Sequence, residues 1–313
     1  MEIRKNPPRK TVGIDRILSP ADANTSYRIH RHDTTPDVDC VPDKQARVLV
    51  TGIGPRGAGN VQVLSKTVTG SACYEVISGL TDEKCCDVTG FFDELMSSDL
   101  LVVITAFDDR SLDPFFHSLC KAAHEMDIPT VCVTCQPDMM TSHAPGLTGS
   151  AEPLPDIVFY LSGHALQGPC DLLPEQPAQR YALSGYAKRH LAASVSRLIT
   201  QTGVACIDSG DVVSLLRSGR RGFMGVGVGS GEASGRTAAM LAVERLHRQG
   251  MNTAGCRGAL VCVYGSSLMG MDDFDDAVRV VQGFFAADAA IISGILVDEY
   301  LGQSARVTLL AVV

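Results

Sequence analysis

Four runs of consecutive apolar residues constrain the fold of the first half of this 313-residue chain. Continuous rather than alternating apolar runs are typical of parallel strands that are covered by helices on both faces. Between the second and third runs, residues 113–127 place apolar side chains at helical spacing. This alternation of strand and helix predicts an α/β fold with a doubly wound, Rossmann-like N-terminal domain. The runs lie in ARVLVTGIG (46–54), SSDLLVVITAF (97–107), IPTVCVTCQP (128–137) and PDIVFYLSG (155–163).

The second half opens with a long segment of helical character, residues 177–203, which ends at Gly203. Residues 222–235, GFMGVGVGSGEASG, are interpreted as a glycine-rich linker that opens a helix. We expect these glycines to serve packing between domains rather than ligand binding. Three further apolar runs, with one helical segment between the first two, predict a smaller C-terminal α/β domain. The runs are GALVCVYGSS, AAIISGILVDE and ARVTLLAVV, and the helical segment is DDFDDAVRVVQGFF.

These patterns divide the chain into four parts. Residues 1–45 are polar, contain five prolines and lack periodicity, which predicts a flexible arm. The N-terminal domain is expected at 46–175, the central helix at 176–203 and the C-terminal domain at 204–313.

Composition excludes several classes of protein. The net charge of −8 argues against nucleic acid as a partner. No apolar stretch reaches the roughly 20 residues of a membrane span, and no signal peptide is recognisable, so we expect a cytoplasmic protein. The eleven cysteines lie mostly in apolar runs, as reduced thiols do. Cys132 and Cys135 form an isolated C-x-x-C pair, which favours buried thiols over a metal site.

Three segments of the chain resemble FtsZ, the bacterial homologue of tubulin. Residues 203–244 contain CIDSGD and MGVGVGSGEASG, similar to the family's N-x-D-x-x-D loop and its MGSGVASGE segment. The last strands and the segment 97–137 match the family as well, so that the resemblance covers roughly residues 46–313. It implies a GTP-binding domain, a central helix and an activation domain, stacked head to tail into protofilaments. In that family, carboxylates of one subunit hydrolyse the GTP of the next.

The family's main phosphate cradle, GGGTGTG, falls on DDRSLDP, residues 108–114, where every glycine is replaced. Phosphate cradles need glycines because backbone N–H groups must approach the anion. Asp108, Asp109 and Asp113 would repel a triphosphate, and Pro114 has no N–H to donate. Two alternatives remain open for this segment: carboxylate ligands of Mg²⁺, or a solvated acidic turn without a ligand.

The opening loop, GIGPRGAGN, keeps more of the family pattern. Gly57, Gly59 and Asn60 match the family's glycine loop, whereas Pro55 and Arg56 replace glycines.

On the central helix, the resemblance assigns Tyr181 to the aromatic side chain that stacks on guanine. Gly185 stands where the family has the polar side chain that reads the guanine edge. The nucleotide-binding residues implied by the resemblance are therefore Gly57, Gly59, Asn60 and Tyr181, in a degenerate site. We expect no cofactor, and GTP or Mg²⁺ only if that site survives.

The family's catalytic carboxylates, which contact the neighbouring subunit's nucleotide, are better matched than its nucleotide-binding residues. Asp208 and Asp211 stand at these carboxylate positions. The resemblance implies a catalytic role for both in trans, on a neighbour's GTP. Cys206 replaces the family's asparagine. The alternative is that Asp208 caps the helix that follows it.

The function indicated is that of a pseudo-GTPase: an FtsZ-like cytoskeletal or regulatory subunit that neither binds nor hydrolyses GTP itself. Its expected partners are further copies of the chain, in a homo-oligomer, or a GTP-bearing FtsZ-like paralogue. Two alternatives stay open: a nucleotide-independent scaffold in membrane remodelling or division, and a diverged GTPase with weak nucleotide binding. The chain ends at Val313 without a recognisable membrane-tether tail, so we do not expect it to be the main division polymer.

Overall fold

The computed structural model describes residues 46–67, 74–77, 93–105, 113–135, 155–161, 177–200 and 207–313. The proposed arm at 1–45 and residues 108–112 of the acidic segment lie outside these ranges. The strands are β1 Val48–Gly52, β2 Tyr74–Ile77, β3 Leu100–Ile104, β4 Thr130–Cys135, β5 Ile157–Leu161, β6 Arg221–Ser230, β7 Gly258–Gly265, β8 Ala290–Val297 and β9 Ser304–Val312. The helices are α1 Gly54–Thr67, α2 Asp113–Glu125, α3 Pro177–Thr200, α4 Ser209–Arg217, α5 Ser234–Arg248 and α6 Met271–Phe284, with short 3₁₀ turns at Thr253–Gly255 and Glu299–Leu301.

The nine described strands form one sheet in the order β2-β1-β3-β4-β5-β6-β9-β7-β8. β9 is antiparallel to β6 and β7, and the other pairs are parallel. The two halves meet where Val158 and Phe159 of β5 pair with Arg221 and Gly222 of β6. The sheet therefore continues through both halves of the chain, and the domain boundaries inferred from the sequence stay a prediction.

The four apolar runs of the first half are confirmed as β1, β3, β4 and β5, which are buried along nearly their whole length. The predicted helices α2, α3 and α6 and the strands β7, β8 and β9 are also present. The short strand β2, YEVI, was not predicted, because four residues with a charge among them carry little periodic signal.

The glycine-rich segment 222–235 is not a linker, and this prediction was wrong. Its first nine residues belong to β6, in the middle of the sheet. A Cβ on Gly225, Gly227 or Gly229 would overlap the backbone of α5, at the carbonyl oxygens of Ala242, Ala238 and Ser234 respectively. These three glycines thus let a helix lie directly on a strand within the C-terminal half. Gly222 instead packs between the halves, because a Cβ there would overlap the ring of Phe159 on β5.

Helices cover both faces of the sheet. The central helix α3, together with α1 and α4, packs on one face and encloses a core that includes Leu191, Val195 and Leu216. On the other face, α2 covers the N-terminal half through Phe116, while α5 and α6 cover the C-terminal half. None of the helices in the described part of the chain combines the length and the apolar character that a bilayer crossing requires.

Candidate functional site

The turn from β1 into α1 carries the predicted glycine loop. Gly54 has a φ of 76°, in the left-handed region that favours glycine. Gly57 is buried, and a Cβ there would overlap the carbonyl oxygen of Ile104 at the end of β3. A Cβ on Gly52 would likewise overlap the backbone of Gly57. Close packing of α1 on the sheet therefore requires Gly57 whether or not an anion binds, whereas a Cβ on Gly59 would meet no atom within 4 Å.

The side-chain amide of Asn60 is engaged at both ends. Its Oδ1 accepts a hydrogen bond from Nη1 of Arg189 at 2.7 Å, and its Nδ2 donates to the backbone oxygen of Arg56 at 2.7 Å. A Cβ on Gly185 would lie 2.8 Å from Asn60 Oδ1 and 3.2 Å from Arg189 Nη1. The missing side chain at position 185 thus makes room for the Asn60–Arg189 pair.

Arg189 was not among the residues inferred from the sequence. A signal was present, since a cation four residues after Gly185 lies on the same face of the helix. Burial lowers the pKa of its guanidinium, while Tyr186 opposes this effect. The structure therefore brings together Asn60, Gly185 and Arg189. The sequence analysis had assigned the first to the glycine loop and the second to the guanine-reading position of the central helix.

A buried lysine lies next to this site. Lys188 is 2% exposed, and its Nζ donates a hydrogen bond of 2.8 Å to the backbone oxygen of Thr105. Thr105 follows β3 directly, three residues before the segment 108–114 to which the sequence analysis assigned the phosphate cradle. Sequence reasoning missed Lys188 because a lysine among polar residues of a helix suggests a solvated face.

Other predicted residues of the nucleotide site cannot be placed in the same detail. Tyr181 lies on α3, but its side chain is outside the described part of the structure. Asp108 and Asp109 are outside the described residues altogether. Asp113 is the first residue of α2, with Pro114 in the first helical turn, where proline is well tolerated. The acidic replacement of the phosphate cradle stays a prediction.

The two aspartates inferred as catalytic lie at the start of α4. Asp208 is the N-cap of this helix, and its Oδ1 accepts a hydrogen bond of 2.8 Å from the backbone N–H of Gly210. Asp211 lies in the first turn, and both aspartates are exposed. The capping alternative therefore describes one contact of Asp208, while the arrangement also presents two carboxylates to solvent.

The glycine loop and the aspartates lie at opposite ends of the central helix. Asn60 and Gly185 contact each other near its amino-terminal third, whereas Asp208 follows its carboxyl end. The helical rise of about 1.5 Å per residue puts Gly185 and Thr200 roughly 22 Å apart along the axis. One copy of the chain does not bring both sets of residues to a single catalytic centre.

Between these ends, polar side chains join α3 to the C-terminal half of the sheet. His190 Nε2 shares a hydrogen bond of 2.7 Å with Thr308 Oγ1 on β9. Ser194 Oγ shares one of 2.8 Å with the hydroxyl of Tyr264 on β7. Burial raises the pKa of Tyr264, so that its hydroxyl stays protonated.

Two arginines surround this contact. The guanidinium of Arg306 lies over the Tyr264 ring, 4.3 Å from its centroid, and pairs with Asp298 at 2.9 Å. Burial, followed by the charges of Arg306 and Arg197, lowers the pKa of His190 to about 3. His190 is therefore uncharged at neutral pH. None of these residues was singled out by sequence reasoning, because their association depends on pairing between distant segments.

No metal centre is found among the residues described, where no three His, Cys, Asp or Glu side chains are suitably grouped. Cys132 of the C-x-x-C pair is a buried free thiol, as the sequence indicated. Its pKa is raised by burial and by the neighbouring Cys120. The side chain of Cys135 is outside the described part of the structure.

Comparison with known proteins agrees with this architecture. Residues 221–312 match the C-terminal domain of the FtsZ family. The cell division protein FtsZ of Buchnera aphidicola is 26% identical over 117 residues, which are 37% of this chain and 30% of that relative. The chain thus matches less than a third of the length of this relative.

Solved structures extend the likeness to most of the fold. The empty FtsZ dimer from M. jannaschii has a TM-score of 0.68 at 16% identity, over 87% of this chain and 89% of that one. The GTPγS-bound protofilament of CetZ2 from Haloferax volcanii has a TM-score of 0.57 at 16% identity, over 84% of this chain and 92% of that one. Residues 221–312 therefore resemble the C-terminal domain of the FtsZ family, and most of the chain has the fold of the FtsZ and CetZ2 structures.

Proposed function

We propose that this chain is an FtsZ-like cytoskeletal subunit that assembles longitudinally without binding or hydrolysing GTP at its own site. It associates with further copies of itself or with a GTP-bearing FtsZ-like paralogue, in the cytoplasm, in a filament or a division-related assembly. Where the neighbour is the GTP-bearing paralogue, Asp208 and Asp211 act in trans on its GTP.

The observation that carries the proposal is the hydrogen bond between Arg189 and Asn60 beside Gly185. Both ends of the Asn60 amide are engaged within the chain, so a nucleotide that bonds to Asn60 must displace Arg189. A hydrogen bond to a charged group contributes about 1.5–3 kcal/mol, and Gly185 offers no side chain to replace it. Discrimination for guanine depends on such polar contacts.

The amino-terminal turn of α1 supports the same conclusion. Pro55 has no N–H to offer a phosphate, and both Pro55 and Arg56 are exposed where the family has glycines. Gly57 has a packing role against Ile104 that accounts for its presence without a ligand. The residues present therefore fit a bound GTP poorly.

The exposed aspartates support an action on a neighbour. They lie at the end of α3 opposite the glycine loop, where a longitudinal contact would place them against the next subunit's nucleotide. Properly placed acid–base groups contribute about 10²–10⁴-fold to a hydrolytic rate. The dimer and protofilament formed by the related FtsZ and CetZ2 structures support longitudinal assembly of this chain.

A second candidate is a scaffold that uses no nucleotide at all. It is favoured by the bond from Gly210 N–H to Asp208, because this cap gives Asp208 a structural use in the absence of any neighbour. Asparagine caps a helix about as well as aspartate but carries no charge. Replacing the aspartates by asparagine therefore preserves the scaffold's cap and removes the carboxylates that the trans-acting subunit needs.

The decisive experiment measures GTP binding and stimulation of a partner. Calorimetry should detect no GTP binding in the micromolar range, and the denatured protein should release no GDP or GTP. The intact chain should stimulate the GTPase of FtsZ from the same cells. Replacing both aspartates, Asp208→Asn with Asp211→Asn, should abolish the stimulation, whereas the exposed Asp288→Asn should preserve it.

The outcomes separate the candidates. Unchanged stimulation by the double asparagine variant, or no stimulation by the parent chain, supports the scaffold. Micromolar GTP binding that strengthens in Arg189→Ala identifies a diverged GTPase and overturns the proposal.

A further inference from the structure

Exposed apolar side chains are concentrated on two connections at one edge of the sheet. Leu268, in the connection from β7 to α6, and Met271, the first residue of α6, are 75% and 56% exposed, and Tyr300, between β8 and β9, is fully exposed. The two connections are joined because Ser267 N and Oγ donate to the carboxylate of Glu299 at 3.2 and 3.3 Å. Grouped apolar side chains of this kind mark interaction surfaces, whereas single ones are ordinary.

The same surface is acidic. Residues 266–276, which include the first turns of α6, contain four aspartates, and residues 298–303 contain Asp298 and Glu299. Of these six carboxylates, Asp276 pairs with Arg279 and Asp298 with Arg306. Asp272, Asp275 and Glu299 are exposed. We call the surface formed by residues 266–276 and 298–303 the acidic-apolar patch. An occupant that suits it carries basic and apolar side chains together.

The chain contains a segment of that composition outside the described residues. Residues 4–18, RKNPPRKTVGIDRIL, have five basic side chains and one acidic one, a net charge of +4. Their apolar side chains are Val12, Ile14, Ile17 and Leu18. Removing residues 1–18 leaves 27 − 5 = 22 basic and 35 − 2 = 33 acidic residues in 19–313, a net charge of −11. The net charge of this segment is thus opposite in sign to that of residues 19–313.

The sequence that connects residues 4–18 to β1 is long enough for them to reach the acidic-apolar patch. Residues 19–45 span up to roughly 90 Å when extended. Six strand spacings separate β1 from β7, which amounts to about 29 Å across the sheet, and a strand of eight residues adds about 26 Å along it.

We propose that residues 4–18 bind the acidic-apolar patch of the same chain. In the bound state, residues 4–18 cover Leu268, Met271 and Tyr300 and place their basic side chains beside the exposed carboxylates. The inference does not depend on whether the chain binds GTP.

Photo-crosslinking of the full chain tests this contact directly. Benzoylphenylalanine replaces Tyr300 in one variant and Met240 in a matched control, since Met240 is 56% exposed on α5 outside the patch. Tyr300→benzoylphenylalanine should give monomeric cross-linked products in which mass spectrometry finds peptides from residues 1–18. The Met240 variant should not. The yield should fall about fivefold or more at about 1 M salt, where the Debye length is about 3 Å.

Charge reversal provides a second, independent test. Replacing Arg4, Lys5, Arg9 and Lys10 together by glutamate should reduce the cross-link by about fivefold or more. Adding Asp272→Lys and Asp275→Lys should restore it, with folding of each variant verified by circular dichroism. Cross-links that join two copies, cross-links to other segments, no cross-link, or a yield insensitive to charge reversal would each overturn the proposal.

Discussion

Ser194 on the central helix and Tyr264 on β7 share a hydrogen bond of 2.8 Å, and both side chains are fully buried. Tyr264 is among the largest fully buried side chains of the described structure. The bond crosses from α3 to the C-terminal half of the sheet, next to the contact between His190 and Thr308. Polar contacts between distant segments therefore join the central helix to this half, in addition to the apolar packing of Leu191 and Val195.

A double-mutant cycle should detect this coupling. Tyr264→Phe leaves the Ser194 hydroxyl buried without its partner, and should lower the free energy of unfolding by about 1–2 kcal/mol. Adding Ser194→Ala should cost less than the sum of the two single changes, with an interaction energy of about 1 kcal/mol. Urea unfolding followed by far-ultraviolet circular dichroism measures this, since the chain has no tryptophan. Simple additivity would show that the bond contributes little.

The contact between β6 and α5 gives a second prediction. Gly227→Ala places a methyl group against the carbonyl oxygen of Ala238, so helix and strand must separate. We expect a loss of at least about 1–3 kcal/mol in the free energy of unfolding. Gly283→Ala is the matched control, because it is exposed on α6 with no atom near its Cβ, and should stabilise by about 0.5–1 kcal/mol. Equal stability of Gly227→Ala and the parent chain would contradict the close packing.

Strands buried on both faces were predictable from the sequence, and β6 was not. The runs that form β1, β3, β4 and β5 are continuously apolar, which is the pattern of strands buried on both faces of a sheet. In β6, Gly225, Gly227 and Gly229 occupy positions that face α5, so burial at these positions comes from backbone contact and leaves no hydrophobic pattern there. Reading glycine as a sign of close approach, rather than of flexibility, would have identified this strand.

The candidate site was predictable only where its contacts join residues that are close in sequence. The N-cap position of Asp208 depends on its own helix, and the sequence indicated both this role and the catalytic one. Arg189 and Asn60 are 129 residues apart, and Lys188 and Thr105 are 83 apart. Such pairs depend on how α3 lies against the β1–α1 turn and the end of β3, which local patterns do not specify.

The cap at Asp208 can be separated from its charge. Asp208→Ala removes the acceptor of the Gly210 N–H and should cost about 1 kcal/mol in the free energy of unfolding. Asp208→Asn keeps a capping oxygen and should stay within about 0.5 kcal/mol of the parent chain. Thermal or urea unfolding of the two variants, compared with Asp211→Ala as a neighbour that makes no cap, measures the difference. An asparagine variant as unstable as the alanine variant would show that the charge, and not the cap, stabilises α4.

His190 should make the fold sensitive to mild acid. Its pKa is about 3 in the folded protein, because burial and the charges of Arg306 and Arg197 disfavour the imidazolium, whereas an unfolded histidine titrates near 6.5. Below pH ~6.5 the unfolded chain therefore binds a proton that the folded chain does not, and stability falls as the pH drops toward 3. At pH ~5 this one residue should cost on the order of 2 kcal/mol relative to pH ~7. His190→Gln, which keeps a polar side chain beside Thr308, should lose about 2 kcal/mol less over the same interval. Urea unfolding of the variant and the parent chain at the two pH values measures this difference. Parallel losses in the two proteins would assign the acid sensitivity to other groups.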